Sequence, residues 1–397
     1  MRALVVGGGV AGPATALALH RAGFDVEVLE RRADDPGDAG SVLTLAPNGV
    51  DALDALGVLD RVRADAVPSR RNAMYGATGR LLGTVTLGSP LADGTPALTM
   101  RRSRLAAVVS AAAREAGVRT RYDARVRAVD VAAGTVTLED GTVLEADLVV
   151  GADGVHSLVR TAIDPGAPAP RYAGLWNFGG RTRTSAQAAT LAAEQWHFIF
   201  GRGAFFGAHP TPSGDVLWFV NVPGPLLSRD EGSARTTEEW REHLVSLLAV
   251  DAGPAAELVR GGELELAADM TYDLGHVPTW WRERAVLVGD AAHAPSPSSG
   301  QGASMALEDA VVLADAIAAA PDLAAGLAAY EQRRRDRVER IVKAGARSSS
   351  SKIPGPIGRV FQEAVLRLVF RMFVTDRSVA WMTDYRVSRE AAASTSS

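Results

Sequence analysis

The stretch "RALVVGGGVAGPATALALHRAGFDVEVLER", Arg2 to Arg31, constrains the fold more than any other part of the chain. A short buried strand, Ala3 to Val6, runs into Gly7-Gly8-Gly9-Val10-Ala11-Gly12 and an apolar helix reaching about Ala22. A second strand, "DVEVLE", then ends on Glu30. This is G-x-G-x-x-G in strand-turn-helix context with an acid about 20 residues on, the pattern of a dinucleotide-binding fold. Gly7 permits the tight turn, Gly9 lets the backbone approach a pyrophosphate, and Gly12 lets helix and strand pack closely. Val10 and Ala11 open the helix, whose free N–H groups and positive dipole end face the phosphates. Glu30 takes the ribose hydroxyls. The motif alone serves NAD and FAD alike.

Two further stretches repeat the strand-turn-helix rhythm. "ADLVVGADGVHSLVR" (146–160) is a buried strand, a Gly-Ala-Asp-Gly turn and a helix start. Its Asp153 fits two roles, a tie for its own loop and a ligand contact. "RAVLVGDAAHAPSPSSGQGASMALEDA" (284–310) is a strand ending in Gly289-Asp290, then a loop through Gly300-Gln301-Gly302 into an alanine-rich helix. An aspartate at that strand end can accept hydrogen bonds from a polyol chain. The second helix start, with its free N–H groups, can stabilise a delocalised anion. NAD has neither feature and FAD has both, so the second loop is expected to serve the far end of the ligand whose phosphates lie on the first.

Bulk composition narrows the remainder. At 397 residues two domains are expected. A net charge of −4 gives no basic field for nucleic acid. The absence of cysteine excludes disulfides, thiolate metal sites and a cysteine nucleophile. The seven histidines show no helical metal-ligand pair, so no metal is expected. Neither a leader pattern nor an apolar run of roughly 18 residues is present, which leads to the expectation of a cytoplasmic protein without a membrane span.

The Gly7–Gly12 fingerprint, "GADG" at 151–154 and "GDAAH" with "GQG" at 289–302, in that order, resemble the FAD-dependent monooxygenases of the p-hydroxybenzoate hydroxylase type. The resemblance covers the whole chain and is nearest to compact members such as urate, salicylate and 3-hydroxybenzoate hydroxylases and tetracycline-inactivating enzymes, with no thioredoxin-like C-terminal domain expected. It implies Asp290 as the ribityl ligand and the backbone of Gly302, Ala303 and Ser304, entered through Gly300, at the pyrimidine edge of the flavin. It also implies Arg102 of "MRRSRLAAVV", rather than Arg101, against the FAD, with Arg31 and the Val126 backbone on the adenosine side. Ser41 and Val42 would pass the isoalloxazine edge. His293 is read as a packing residue and no catalytic acid or base is assigned.

The resemblance further implies an α/β architecture: a Rossmann-type FAD-binding domain from 1–71, 99–165 and 277–348, and a β-rich (α+β) substrate domain from 72–98 and 166–276. A helical tail, 349–397, would follow. The runs "WHFIFG", "FFGAHP" and "DVLWFVNVP" agree with strands. Trp176, Phe178, Phe206, His209 and Trp218 on or beside them serve either a planar apolar substrate or the sheet core. The arginine-rich helix 330–352 reads as a solvated face, and the amphipathic 357–375 as packing across domains or subunits rather than on a membrane.

The implied activity is hydroxylation of an aromatic or polycyclic small molecule with O2, through a C4a-hydroperoxyflavin, with NADPH or NADH as a transient co-substrate. The chain would act as monomer or homodimer. The alternatives left open are a related epoxidase, Baeyer–Villiger-type oxygenase or reductase, and a flavin-binding protein without turnover.

Overall fold

A computed structural model describes residues 1–34, 41–296, 299–350 and 376–387. Its first sheet is six-stranded, in the order Trp281–Arg282, Ala285–Leu287, Leu148–Gly151, Arg2–Val6, Asp25–Leu29, Arg119–Arg121. All neighbours run parallel except the Trp281–Arg282 edge. The central strands Ala3–Val6, Leu148–Val150 and Ala285–Leu287 are wholly or almost wholly buried, as a parallel sheet covered by helices on both faces requires. From Arg2–Val6 the chain builds outward to Asp25–Leu29 and Arg119–Arg121. It then returns to Leu148–Gly151 and Ala285–Leu287 on the other side. The order reverses between Arg2–Val6 and Leu148–Gly151, and ligands of open α/β sheets sit outside the strand C-termini at such a switch point.

The second sheet has seven strands, in the order Glu263–Asp273, Arg171–Thr182, Val216–Pro223, Phe205–Pro210, Gln195–Phe200, Arg71–Gly76, Leu81–Thr86. It is antiparallel except where Gln195–Phe200 lies along Arg71–Gly76. Alternation gives it two apolar faces. On the outer face Phe178, Ile199, Phe206, Trp218 and Val220 pack with Trp240, Leu244 and Leu258 from the helices Thr237–Leu248 and Ala255–Arg260. On the inner face stand Trp196, Phe198, Phe205, Phe219 and His209. A small sheet, Val42–Leu45, Ala97–Arg101 and Val67–Ser69, meets this inner face: Trp196 donates to Thr44 and Thr99, and His209 bonds Ser69. A second small sheet, Val126–Asp130, Thr135–Leu138 and Val143–Glu145, flanks the six-stranded one.

The helix Asp376–Thr383 ties distant parts together. Arg337 donates to the carbonyls of Trp381 and Met382, and the Arg340 guanidinium lies 3.9 Å from the centre of the Trp381 ring. On its other side Asp384 accepts from the Ser89 amide and hydroxyl, and Val379 joins a cluster with Met74, Leu82 and Phe205 of the second sheet. Residues 357–375 and the "AAASTSS" end lie outside the described residues. No helix among the described residues is long and apolar enough to cross a membrane.

Candidate functional site: a flavin cleft at the strand C-termini

The three glycine-bearing loops follow three adjacent parallel strands. Gly7 follows Arg2–Val6, Ala152-Asp153 follows Leu148–Gly151, and Gly289-Asp290 follows Ala285–Leu287. Segments some 280 residues apart thus open at one edge of the sheet. The packing there is close. Gly7 has φ +112°, and a Cβ on it would lie 2.4 Å from the Ala152 carbonyl oxygen. A Cβ on Gly12 would lie 1.8 Å from the Gly7 carbonyl. Around a Cβ on Gly9, by contrast, nothing lies within 4 Å, and Gly9 is not in the left-handed region. This cradle is empty where a phosphate must approach and full where helix meets strand. Gly9→Ala is therefore expected to fold with stability changed by less than about 0.5 kcal/mol. The same variant is expected to bind FAD about ten- to a hundredfold more weakly, because its methyl fills the approach path. Thermal melting beside an FAD titration checks both halves.

Glu30 ends the second strand, 5% exposed, and its carboxylate accepts from the Gly8 amide at 2.7 Å and from the Arg32 amide and Nε at 2.9 and 3.1 Å. It braces the glycine loop, with part of its acceptor capacity left for a ribose. Arg32 rather than Arg31 is its partner; Arg31 is exposed beside it. Val126, half-buried, starts two residues after Ala124, whose amide donates to the Glu30 carbonyl. Asp153 ties its own loop: it accepts from the Ser157 hydroxyl and the Leu158 and Val159 amides at the start of the Leu158–Ile163 helix. Burial pushes its carboxyl up, and those bonds pull the other way. The Asp153 Cα still lies 3.1 Å from a Cβ placed on Gly7, so the loop borders the cleft.

On the far side Asp290 is about a third exposed. Its partner among the described residues is Arg102, at 3.9 Å. A Cβ on Gly302 would lie 3.7 Å from the Asp290 Oδ1, so acid and helix start are adjacent. Gly300, at φ +61°, turns the chain into the Gly302–Ala319 helix, whose first amides, of Gly302, Ala303 and Ser304, have no partner within the helix. The Ser304 hydroxyl accepts from the Ala46 amide, which ties the helix start to the end of the Val42–Leu45 strand. Ser41 accepts from the Arg102 amide, and Val42 pairs with Arg101. Arg101 instead binds Glu265 of the second sheet. The structure thus groups Ser41, Val42, Arg102, Asp290, Gly300 and Gly302–Ser304 at one end of the cleft, and Gly7–Gly12, Glu30 and Val126 at the other.

Two expectations need correction. Phe178, Phe206 and Trp218 are 0–1% exposed on the outer face, under the helices, and Trp176 packs on Trp240 and donates to the Pro225 carbonyl on that same side. They are core, not substrate wall. His209 alone of that set stands on the inner face. Both faces of these strands are apolar, so their alternation carried no sign to say which turns inward. The inner wall is Trp196, Phe198, Phe205 and Phe219, with ring centres 5.5–6.1 Å apart.

Second, the arginine run is not simply a solvated face. Arg334 is fully buried and pairs with Glu308 and, through Nε at 2.8 Å, with Asp309. Arg337 binds both oxygens of Glu308 at 2.8 and 3.0 Å, and Asn48 links Glu308 to Gln301. Asp309 also accepts from the Gly289 amide at 2.9 Å and pairs with His293. Burial opposes ionisation of Asp309, yet His293 and Arg334 beside it hold its carboxyl down to about 2. Burial likewise works against Glu308, and Arg334 and Arg337 keep it below the usual range. The network anchors the Gly289-Asp290 turn, and His293 is buried in it as a partner of Asp309. Sequence reasoning missed it although a signal existed: Glu308-Asp309 sit in a helix apolar on every side, and acids buried there need partners.

A dinucleotide cradle joined to an acid at a neighbouring strand end and a second helix start is the arrangement of an FAD-binding fold, and the relatives of this chain are FAD-dependent monooxygenases. The chain belongs to the family described as FAD binding domain, which matches residues 1–345. Among its relatives are kynurenine 3-monooxygenase of Salinispora arenicola, 32% identical over 85% of this chain and 77% of that one, and aurachin C monooxygenase/isomerase of Stigmatella aurantiaca, 30% identical over 94% of each. Klebsiella pneumoniae HpxO, solved complexed with FAD and uric acid, superposes with a TM-score of 0.79 at 27% identity, covering 98% of this chain and 97% of that one.

Proposed function

We propose that this enzyme uses NADPH or NADH and O2 to hydroxylate a planar aromatic or heteroaromatic small molecule held between the flavin and the inner face of the second sheet. The observation that carries this reading is the wall of Trp196, Phe198, Phe205 and Phe219, which faces the small sheet that borders Arg102. Stacked and edge-on rings suit a flat apolar ligand. Relatives named for kynurenine, aurachin C and urate support a ring substrate.

FAD, when bound, supplies hydride acceptance from NAD(P)H and activation of O2 for transfer of one oxygen atom. The chain's residues do the remaining work. Gly9 and the amides at the start of Ala11–Arg21 admit the pyrophosphate, and Glu30, with Arg31 and Val126 nearby, holds the adenosine side. Asp290, with Arg102 beside it, would accept from the ribityl hydroxyls. The Gly302–Ser304 amides would hold the pyrimidine side and offset negative charge there. The aromatic wall keeps water from the reacting carbon, which limits wasteful peroxide release.

The test follows NADPH and NADH oxidation in air by FAD-loaded protein against a panel of phenols, quinolones and purines, with peroxide measured in parallel. We expect at least one compound to accelerate oxidation strongly while peroxide stays low and a hydroxylated product appears. Oxidation that never responds to any compound, or whose electrons all emerge as peroxide, overturns the reading.

A further inference from the structure

A hydrogen-bonded chain crosses from the inner wall into the small sheet. Trp196 Nε1 donates to Thr44 Oγ1 at 2.8 Å and to Thr99 Oγ1 at 3.2 Å. The Thr44 and Thr99 hydroxyls are 2.7 Å apart, those of Thr99 and Ser69 2.6 Å, and Ser69 Oγ is 2.8 Å from His209 Nε2. His209 Nδ1 lies 2.9 Å from the Pro210 carbonyl oxygen. Ser69, Thr99, Trp196 and His209 are buried; Thr44 is half-buried.

The direction of every bond follows from the far end. A carbonyl only accepts, so His209 Nδ1 carries the ring proton. Burial pushes the imidazole down to about 4, which leaves it neutral at neutral pH with a lone pair on Nε2. Ser69 must then donate to His209. Each hydroxyl has one proton and two lone pairs. Ser69, having donated, receives from Thr99, and Thr99 in turn receives from Thr44. The Thr44 proton is committed inward. Of its two lone pairs one meets the Trp196 N–H, and the other has no partner among the described residues.

We infer that Thr44 is a specificity-determining acceptor, whose remaining lone pair selects a substrate presenting a ring N–H or O–H donor at the edge of the aromatic wall. The inference rests on the substrate-cleft reading above. Thr44 is well placed for it: its strand runs from Val42, paired with Arg101, to Leu45, and the next residue, Ala46, is bonded to Ser304 at the second helix start. Thr44 is therefore midway along the segment that spans the flavin end of the cleft. A polarised chain ending on a neutral imidazole also explains why a histidine is buried here without an acidic partner.

The test uses FAD-loaded wild type, Thr44→Val and Ser69→Ala. Each is titrated with two matched pairs, indole against 1-methylindole and 2-naphthol against 2-methoxynaphthalene, read by perturbation of the flavin absorbance. Wild type is expected to bind the donor of each pair about tenfold tighter, the effect of one well-placed hydrogen bond. Thr44→Val should bring that ratio to about one by weakening the donor alone. Ser69→Ala is the more telling variant. Without Ser69, the Thr99 proton turns to Thr44 and the Thr44 proton turns to the cleft, so the preference for indole over 1-methylindole and for 2-naphthol over its methyl ether should vanish although Thr44 itself is intact. A purely structural role moves neither ratio. Binding of both members with the wild-type ratio in Thr44→Val overturns the Thr44 assignment and leaves the cleft reading standing. If no probe perturbs the wild-type flavin and no compound of the wider panel stimulates oxidation, the cleft reading fails and takes this inference with it.

Discussion

Replacing Arg334 with methionine is expected to destabilise the protein by about 3–5 kcal/mol, because it leaves buried carboxylates short of their cation. At this chain size that corresponds to a fall of roughly 4–6 °C in the thermal midpoint. Arg337 still covers Glu308, so the deficit is concentrated at Asp309, which keeps, among the described residues, His293 and the Gly289 amide. Since Asp309 anchors the Gly289-Asp290 turn, FAD should also dissociate faster before the fold is lost. The acid dependence has a definite sign. Asp309 is held at about 2 in the folded chain, below the unfolded value of about 3.9. Its contribution is therefore full above pH about 4 and is lost as pH falls towards 2. Urea midpoints of wild type and Asp309→Asn between pH 5 and 2 check this: the gap between them should narrow on acidification. A gap independent of pH would show that Asp309 is not held ionised by its neighbours.

Asp290→Ala should yield a folded protein with unchanged circular dichroism that loses FAD on purification. The carboxylate is about a third exposed and its partner is Arg102 at 3.9 Å, so the fold depends little on it. A charge-assisted bond to a ribityl hydroxyl contributes about 1.5–3 kcal/mol, or about ten- to a hundredfold in FAD affinity. Equilibrium titration against apo-protein reads the effect, and Asp290→Asn should recover part of it. Wild-type affinity in Asp290→Ala would remove the ribityl role.

Much of the cofactor end was legible before any coordinates. Gly7, Gly9, Gly12 and Glu30 are set by local geometry, since a tight turn, a close approach and a helix start each demand a residue type at a fixed spacing. Asp290 and Gly302 were legible for the same reason. The substrate end was not. A strand with apolar residues on both faces has no internal marker of which face turns inward, so Phe178, Phe206 and Trp218 fit a substrate wall and a sheet core equally, and nothing singles out Phe198, Phe205 and Phe219. Arg334 and Arg337 of the Leu323–Ser350 helix escape the sequence on similar grounds, for an exposed arginine and one paired with a buried acid look alike in a helical repeat.

The sequence by itself determined the class of the protein: a mixed α/β fold with FAD as its cofactor, and three glycine-bearing loops that follow parallel strands. Those features are written in short-range patterns of a few residues. Only the tertiary structure decided that Arg334 and Arg337 neutralise Glu308 and Asp309, which face of the second sheet meets the small sheet, and that Thr44, Thr99 and Ser69 link Trp196 to His209. Each of these depends on partners 25 to 260 residues apart meeting in a buried place, where an unpaired charge or hydroxyl costs too much to leave to chance.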